Sequence, residues 1–182
     1  MSITTKGGDK GMTSLYDGTR VSKDDARIEL NGELDELSAY LGLCKATTHQ
    51  SEPYSSIQRE LMIVMAMVAG KGSSTRIVSE KTQEQEHQQV ASLDAAIVKM
   101  EAFIHEQTDG KRFDFVLPGR DIADASLHIA RTKARTAERR WVAMNKEMSQ
   151  QNEVEIDDNV SLDIIVKYLN RLSDYLWCLT IV

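Results

Sequence analysis

The chain has 182 residues, 41% apolar and 27% charged, with ten glycines and two prolines, the make-up of one ordinary globular domain rather than of a linker-rich or disordered chain. Its formal net charge of −6 argues against a nucleic-acid binder that works by neutralising phosphates. Residues 1–23 nevertheless carry four basic side chains against two acidic ones, a net of +2 that leaves −8 for the remainder; a local anionic ligand is one reading of that segment and a merely solvated chain end the other.

In chain order, the first element is no helix. "TTKGGDKGMTSL", residues 4–15, holds three glycines, two lysines and three threonines, which offer donors but cannot build a core. Helical periodicity then begins. A first helix over about 24–48 places Leu30, Leu34, Leu37, Leu41 and Cys44 on one stripe, and a second over about 53–78 does the same with Ile57, Leu61, Val64, Met65 and Val68. A third over about 81–107 carries Val90, Leu93, Ile97, Met100 and Ile104. A fourth over about 120–148 carries Leu127, Ala130, Ala134, Ala137, Trp141, Met144 and Met148, and a fifth over about 159–180 carries Leu162, Ile165, Leu169, Leu172, Leu176 and Leu179. Such spacings of three and four put one face of each helix into a core.

The breaks carry stop signals: Pro53 after a polar run, Gly70 and Gly72, "TDGKRF" followed by Pro118-Gly119, and "NEVEIDDN", where Asp158 or Asn159 can cap the last helix. No stretch alternates with period two, so no sheet is expected. The expected fold is all-α, a single five-helix up-down bundle over 24–182 preceded by a Gly-rich loop over 1–23.

A second pattern lies beside the core stripes. On the fourth helix His128, Arg131, Arg135 and Glu138 follow at three, four and three residues, a polar line that can order an anion through planar guanidinium donors. The bland alternative is a solvated face on which Arg135 and Glu138 form an exposed ion pair. The first helix has Asn31, Asp35 and Ser38, the fifth Asn170 and Asp174. Asp35, between Leu34 and Leu37, is expected at a core edge, where a carboxylate wants a cation such as Arg131; the alternative is that it points to water.

Common chemistries are missing. "GGDKGMTS" lacks the order of a P-loop, there is no H-E-x-x-H, and the single E-x-x-H, Glu84 to His87, lies in a solvated charge run without the second copy a di-iron bundle needs. Cys44 and Cys178 form no CxxC pair and fit reduced thiols. The start has no apolar signal core, and the longest apolar run, residues 61–70, is too short to cross a bilayer. The expectation is a cytoplasmic protein that binds neither membrane nor nucleic acid.

Three segments, "TKGGDKGMTSLYDGTRVSKDDARIELNGELDELSAYLGL" (5–43), "FVLPGRDIADASLHIARTKARTAERRWVAM" (115–144) and "YLNRLSDYLW" (168–177), together resemble the ATP:cob(I)alamin adenosyltransferases of the propanediol-utilisation type. The resemblance implies a five-helix bundle, a homotrimer with active sites between subunits, and transfer of the 5′-deoxyadenosyl group of ATP to the cobalt of reduced cobalamin, with Mg2+ accompanying the nucleotide. A cobalamin reductase and an adenosylcobalamin-dependent client enzyme are the implied partners. The nucleophile is then the cobalt itself, which agrees with the missing catalytic constellation; positioning and charge stabilisation are left to the protein.

The resemblance also implies roles. Thr4, Thr5, Lys6, Gly7, Gly8, Lys10, Gly11, Thr13, Ser14 and Lys23 would cradle ATP in a loop that orders on binding. Arg135, Glu138 and Asn170 fall on nucleotide-site positions, with Arg135 on phosphate. Arg131 falls on the position that pairs with Asp35 across a subunit boundary. Phe115 falls on the aromatic that closes the space beneath the corrin. The chain departs from the pattern at Arg120, where many members have a second glycine, in its second helix and in the polar stretch "KTQEQEHQQ". A non-catalytic ATP- or cobalamin-binding sensor or carrier on the same bundle is the alternative.

Overall fold

The computed structural model describes residues 6–15, 18–70, 80–151 and 159–182, and all side chains among them except those of 80–82, 151 and 159–163. Five helices follow a short hairpin: β1 (Met12–Ser14), β2 (Arg20–Ser22), α1 (Ala26–Thr48), α2 (Tyr54–Gly70), α3 (Glu80–Thr108), α4 (Ile122–Gln151) and α5 (Asn159–Cys178). The hairpin corrects the expectation that no sheet would form. Its strands pair antiparallel, Met12 with Ser22 and Ser14 with Arg20, and three residues per strand are too few for alternation to register in the sequence. Thr4, Thr5, the expected cap Asp158 and the second helix beyond Gly70 lie outside the described residues, as does the side chain of Leu162.

The stripes bury as their spacing demands. Leu30, Leu34, Leu37, Leu41 and Cys44 on α1 are fully buried, as are Leu61, Val64 and Val68 on α2 and Ile165, Leu169, Leu172 and Leu176 on α5. On α4 the fully buried residues Ala130, Ala134 and Ala137 are small, which lets this helix approach its neighbours closely. Trp141 and Met144 fill the wider space further along the same face.

Across the bundle the order is α2, α1, α4, α5, α3, with only a slight contact of α2 on α3 closing the ring. Side-chain pairs give the directions. Lys133 meets Glu33 and Glu36 while Arg140 meets Glu29, so α4 runs against α1. Asn31 with Met65 and Ser38 with Gln58 set α2 against α1. Glu101 with Arg171 and Phe103 with Tyr175 make α3 and α5 parallel neighbours. The chain therefore alternates up and down in sequence, but not everywhere in space.

Caps define the ends that matter for the site. Asp25 starts α1 by accepting the Arg27 N–H at 2.9 Å and clasps the Arg27 guanidinium with both oxygens; that hydrogen-bonded guanidinium is the main reason its carboxyl lies below the usual range. Asp121 caps α4 through the Asp124 N–H at 2.8 Å. Asp124 reaches back with Oδ2 to the N–H of Gly119 at 2.7 Å and of Arg120 at 3.1 Å, a variant of the capping box that fastens the preceding segment to the helix.

Candidate active site

Residues 111–120 cross exposed between α3 and α4, pinned at the α4 end by Asp124. Gly119 sits at φ 111°, a conformation other residues rarely adopt. Arg120 donates from its guanidinium to the Thr180 carbonyl at 3.3 Å, so the departure from the family pattern ties this segment to the chain after α5. Phe113 rests edge-on on Trp177, centroids 5.0 Å apart. Phe115 is 90% exposed, and Val116, Leu117 and Ile122 beside it are exposed as well. The two phenylalanines, equivalent by sequence, are thus separated: one leans on Trp177 while staying partly exposed, and the other offers an uncovered ring.

Beneath the segment lies a cleft of about 420 Å³, walled by Phe113, Phe115, Val116 and Pro118 on one side and by His128, Arg131 and Trp177 on the other. His128 is 5% and Asp124 3% exposed. Arg131 donates from Nε to His128 Nδ1 at 3.4 Å, a long hydrogen bond, and His128 Nε2 stands 3.9 Å from Asp124 Oδ1 without a hydrogen-bond partner. Burial pushes the His128 pKa below its ordinary value, with Asp124 opposing and Arg131 and Arg120 assisting. The Gly119 N–H, before other contacts, holds the Asp124 carboxyl below its range.

Further along α4, Glu138 accepts a hydrogen bond from Asn170 of α5 at 3.1 Å; two residues distant in sequence are brought together. Arg135 is exposed, with no hydrogen bond or ion pair among the described residues, so the Arg135–Glu138 ion pair is not formed. Asp35 is exposed on α1 rather than set at a core edge, and it too has no partner among the described residues. Within the chain Arg131 goes to His128, not to Asp35, and the α4 cation that does reach α1 is Lys133, held by Glu33 and Glu36.

The amino-terminal loop is folded on itself. Gly11, at φ 73°, receives the Lys23 N–H on its carbonyl, and Lys23 Nζ lies 3.1 Å from where a Cβ on Gly8 would stand. Lys6, Gly7 and Ser14 are exposed, and Thr13 is half-buried in β1. Arg20 donates to the Gly7 carbonyl at 2.9 Å and to Ser14 Oγ at 3.3 Å. Arg20, Asp124 and Trp177 are not among the residues expected at the site. The D-x-x-D spacing after Pro-Gly signals Asp124; nothing local signals Trp177. Among the described residues no three His, Cys, Asp or Glu side chains converge as metal ligands, and no helix is long and apolar enough to cross a membrane.

Against known proteins, the cobalamin adenosyltransferase family profile matches residues 3–182. A corrinoid adenosyltransferase of Citrobacter freundii is 32% identical over 96% of this chain and 90% of its own length, and one of Bacillus subtilis is 36% identical over 96% and 82%. The corrinoid adenosyltransferase PduO of Salmonella typhimurium is 36% identical over 98% of this chain, which spans only 48% of that protein. Among solved structures, a variant PduO-type ATP:corrinoid adenosyltransferase from Lactobacillus reuteri, complexed with cobalamin and ATP, superposes with a TM-score of 0.72 at 27% identity, covering 98% of this chain and 89% of that one.

Proposed function

The chain belongs to the cobalamin adenosyltransferase family, and from that premise we propose that it transfers the 5′-deoxyadenosyl group of ATP to the cobalt of cob(I)alamin, giving adenosylcobalamin and triphosphate. The likeness to an adenosyltransferase holding both substrates, over 98% of the chain, carries this reading. The cobalt electron pair forms the bond to C5′, the C5′–O bond breaks, and its pair leaves on the triphosphate. The protein must therefore hold two substrates in line and receive growing negative charge.

In this reading the loop of Lys6, Gly7, Gly8, Gly11, Thr13, Ser14 and Lys23, with Thr4 and Thr5, takes the phosphates on backbone and hydroxyl donors. Arg135 meets the leaving triphosphate, and Glu138 with Asn170 faces the nucleoside. Mg2+ arrives with the triphosphate oxygens, its usual mode in nucleotide sites. Phe115 lies under the corrin and keeps a lower axial ligand off the cobalt, which eases reduction. The exposed Arg135, Asp35 and Phe115 support a site completed by a neighbouring subunit, with Arg131 pairing to that subunit's Asp35 in a trimer. A reductase and a client enzyme would act before and after the transfer, and two buried free thiols suit a reducing, cytoplasmic setting.

Mixing the protein with ATP and chemically reduced cobalamin tests the function: the spectrum should change to that of a cobalt–carbon bond, light-sensitive and ATP-dependent. ATP binding without that change would leave the carrier reading instead. Arg135→Ala, at an exposed position, should lower turnover by about a hundredfold or more while stability moves by under about 0.5 kcal/mol. Near-normal turnover in that variant would remove Arg135 from the phosphate site.

A further inference from the structure

We propose that His128 is a positioning residue that aims Arg131 into the cleft under the 111–120 segment, with Asp124 coupling that aim to the segment's backbone. The inference rests on the adenosyltransferase reading for its kinetic readout only.

An arginine Nε always carries a proton, so the 3.4 Å contact from Arg131 Nε to His128 Nδ1 requires Nδ1 to be the lone-pair nitrogen. The ring proton then sits on Nε2, which faces Asp124 Oδ1 at 3.9 Å and is otherwise unpartnered and buried. The same Asp124 carboxylate accepts the Gly119 and Arg120 N–H groups with its other oxygen. One chain of contacts therefore runs from segment backbone to carboxylate to imidazole to guanidinium, through residues almost without exposure until Arg131.

What this does for Arg131 follows from its shape. With Nε engaged, the guanidinium plane is oriented and both terminal nitrogens are left for an acceptor elsewhere; among the described residues none takes them. A planar fork with one edge fixed is prepared for bidentate recognition of a carboxylate or phosphate. A second proton on His128 would remove the acceptor and set an imidazolium against a guanidinium. The charged groups around the ring are Asp124 and Arg131 on α4 and Arg120 on the preceding segment; Asp114 shares the cleft, and α5 contributes the uncharged Trp177.

Two measurements decide the proposal. Long-range 1H–15N correlation spectra of the protein with 15N-histidine should show His128 at pH 7.5 as the neutral Nε2–H tautomer. A Nδ1–H tautomer or an imidazolium would overturn it, whether or not the protein turns over ATP. In the cobalt–carbon assay His128→Leu should lose about tenfold to a hundredfold in rate, the scale of a misaimed group. His128→Asn, whose amide oxygen can replace Nδ1, should recover most of that.

In an Arg131→Ala background His128→Leu should add no further loss, because the two act as one unit. Multiplicative losses, or an Asn variant as poor as the Leu variant, would assign His128 a packing role and end the proposal. Should His128→Leu fail to fold, the Asn variant and the tautomer still decide. A wild type that binds ATP but forms no cobalt–carbon bond would overturn the enzymatic reading, and the spectra alone would then judge His128.

Discussion

Glu60 is a half-buried carboxylate on α2, and the fully buried Tyr168 of α5 donates its hydroxyl to it at 2.9 Å. Burial raises the Glu60 carboxyl above its ordinary 4.5, while the Tyr168 hydroxyl, Lys99 and Arg59 pull it down. A folded carboxyl raised in this way holds its proton longer than the unfolded chain does. Its contribution is thus most favourable below 4.5 and is lost as pH rises through the folded value. Tyr168→Phe removes one of the forces holding the charged form. Urea unfolding should show that variant destabilised by about 1–3 kcal/mol near pH 7, with the difference shrinking once Glu60 is protonated; a pH-independent difference would assign the loss to packing alone. None of this was legible in the sequence, where Tyr168 and Glu60 stand far apart on different helices. Arg131, Arg135 and Glu138 were legible as a line because three- and four-residue spacing fixes a helix face locally.

At the scale of elements, the segment before α4 is where sequence and tertiary structure meet. Pro118-Gly119 announced a break, and Asp121 and Asp124 have the spacing of a capped helix start. The clamp of Asp124 on Gly119 and Arg120 follows directly from that local pattern. What the segment covers does not: Phe113 lands on Trp177 only because α5 ends beside the start of α4. Asp124→Ala should cost about 1–2 kcal/mol and speed hydrogen exchange at the Gly119 and Arg120 amides. Because the folded Asp124 carboxyl lies below its ordinary value of 3.8, its stabilisation is present above 3.8 and is lost as pH falls through the folded value. The variant should therefore lose part of the wild type's acid sensitivity. Unchanged exchange at both amides would show that the segment is held by Arg120 and Phe113 instead.

At the scale of the molecule, the exposed side chains form a pattern of their own. Phe115, Val116, Leu117 and Ile122 leave apolar surface uncovered near the cleft, and Asp35 and Arg135 are charged groups with no partner among the described residues. Adjoining subunits would cover the first and bring a partner to Asp35, leaving Arg135 for the triphosphate. Sedimentation velocity should give three times the chain's mass, with Asp35→Arg shifting the distribution towards smaller species. A wild-type monomer at micromolar concentration would remove the shared-site proposal and require Arg135 and Phe115 to act within one chain.

Five helices, their buried stripes and the glycine-rich loop are legible without any tertiary information, because helix periodicity, capping and chain flexibility are properties of neighbouring residues. A hairpin with three residues in each strand is not, since alternation needs a longer run. The order α2, α1, α4, α5, α3, the meeting of Glu138 with Asn170 and the separation of Phe113 from Phe115 arise only in the folded bundle. Most of these depend on how whole helices settle against one another. That settling is fixed by the summed volumes of residues such as Ala130, Ala134, Ala137 and Trp141, and no short window of sequence contains the sum.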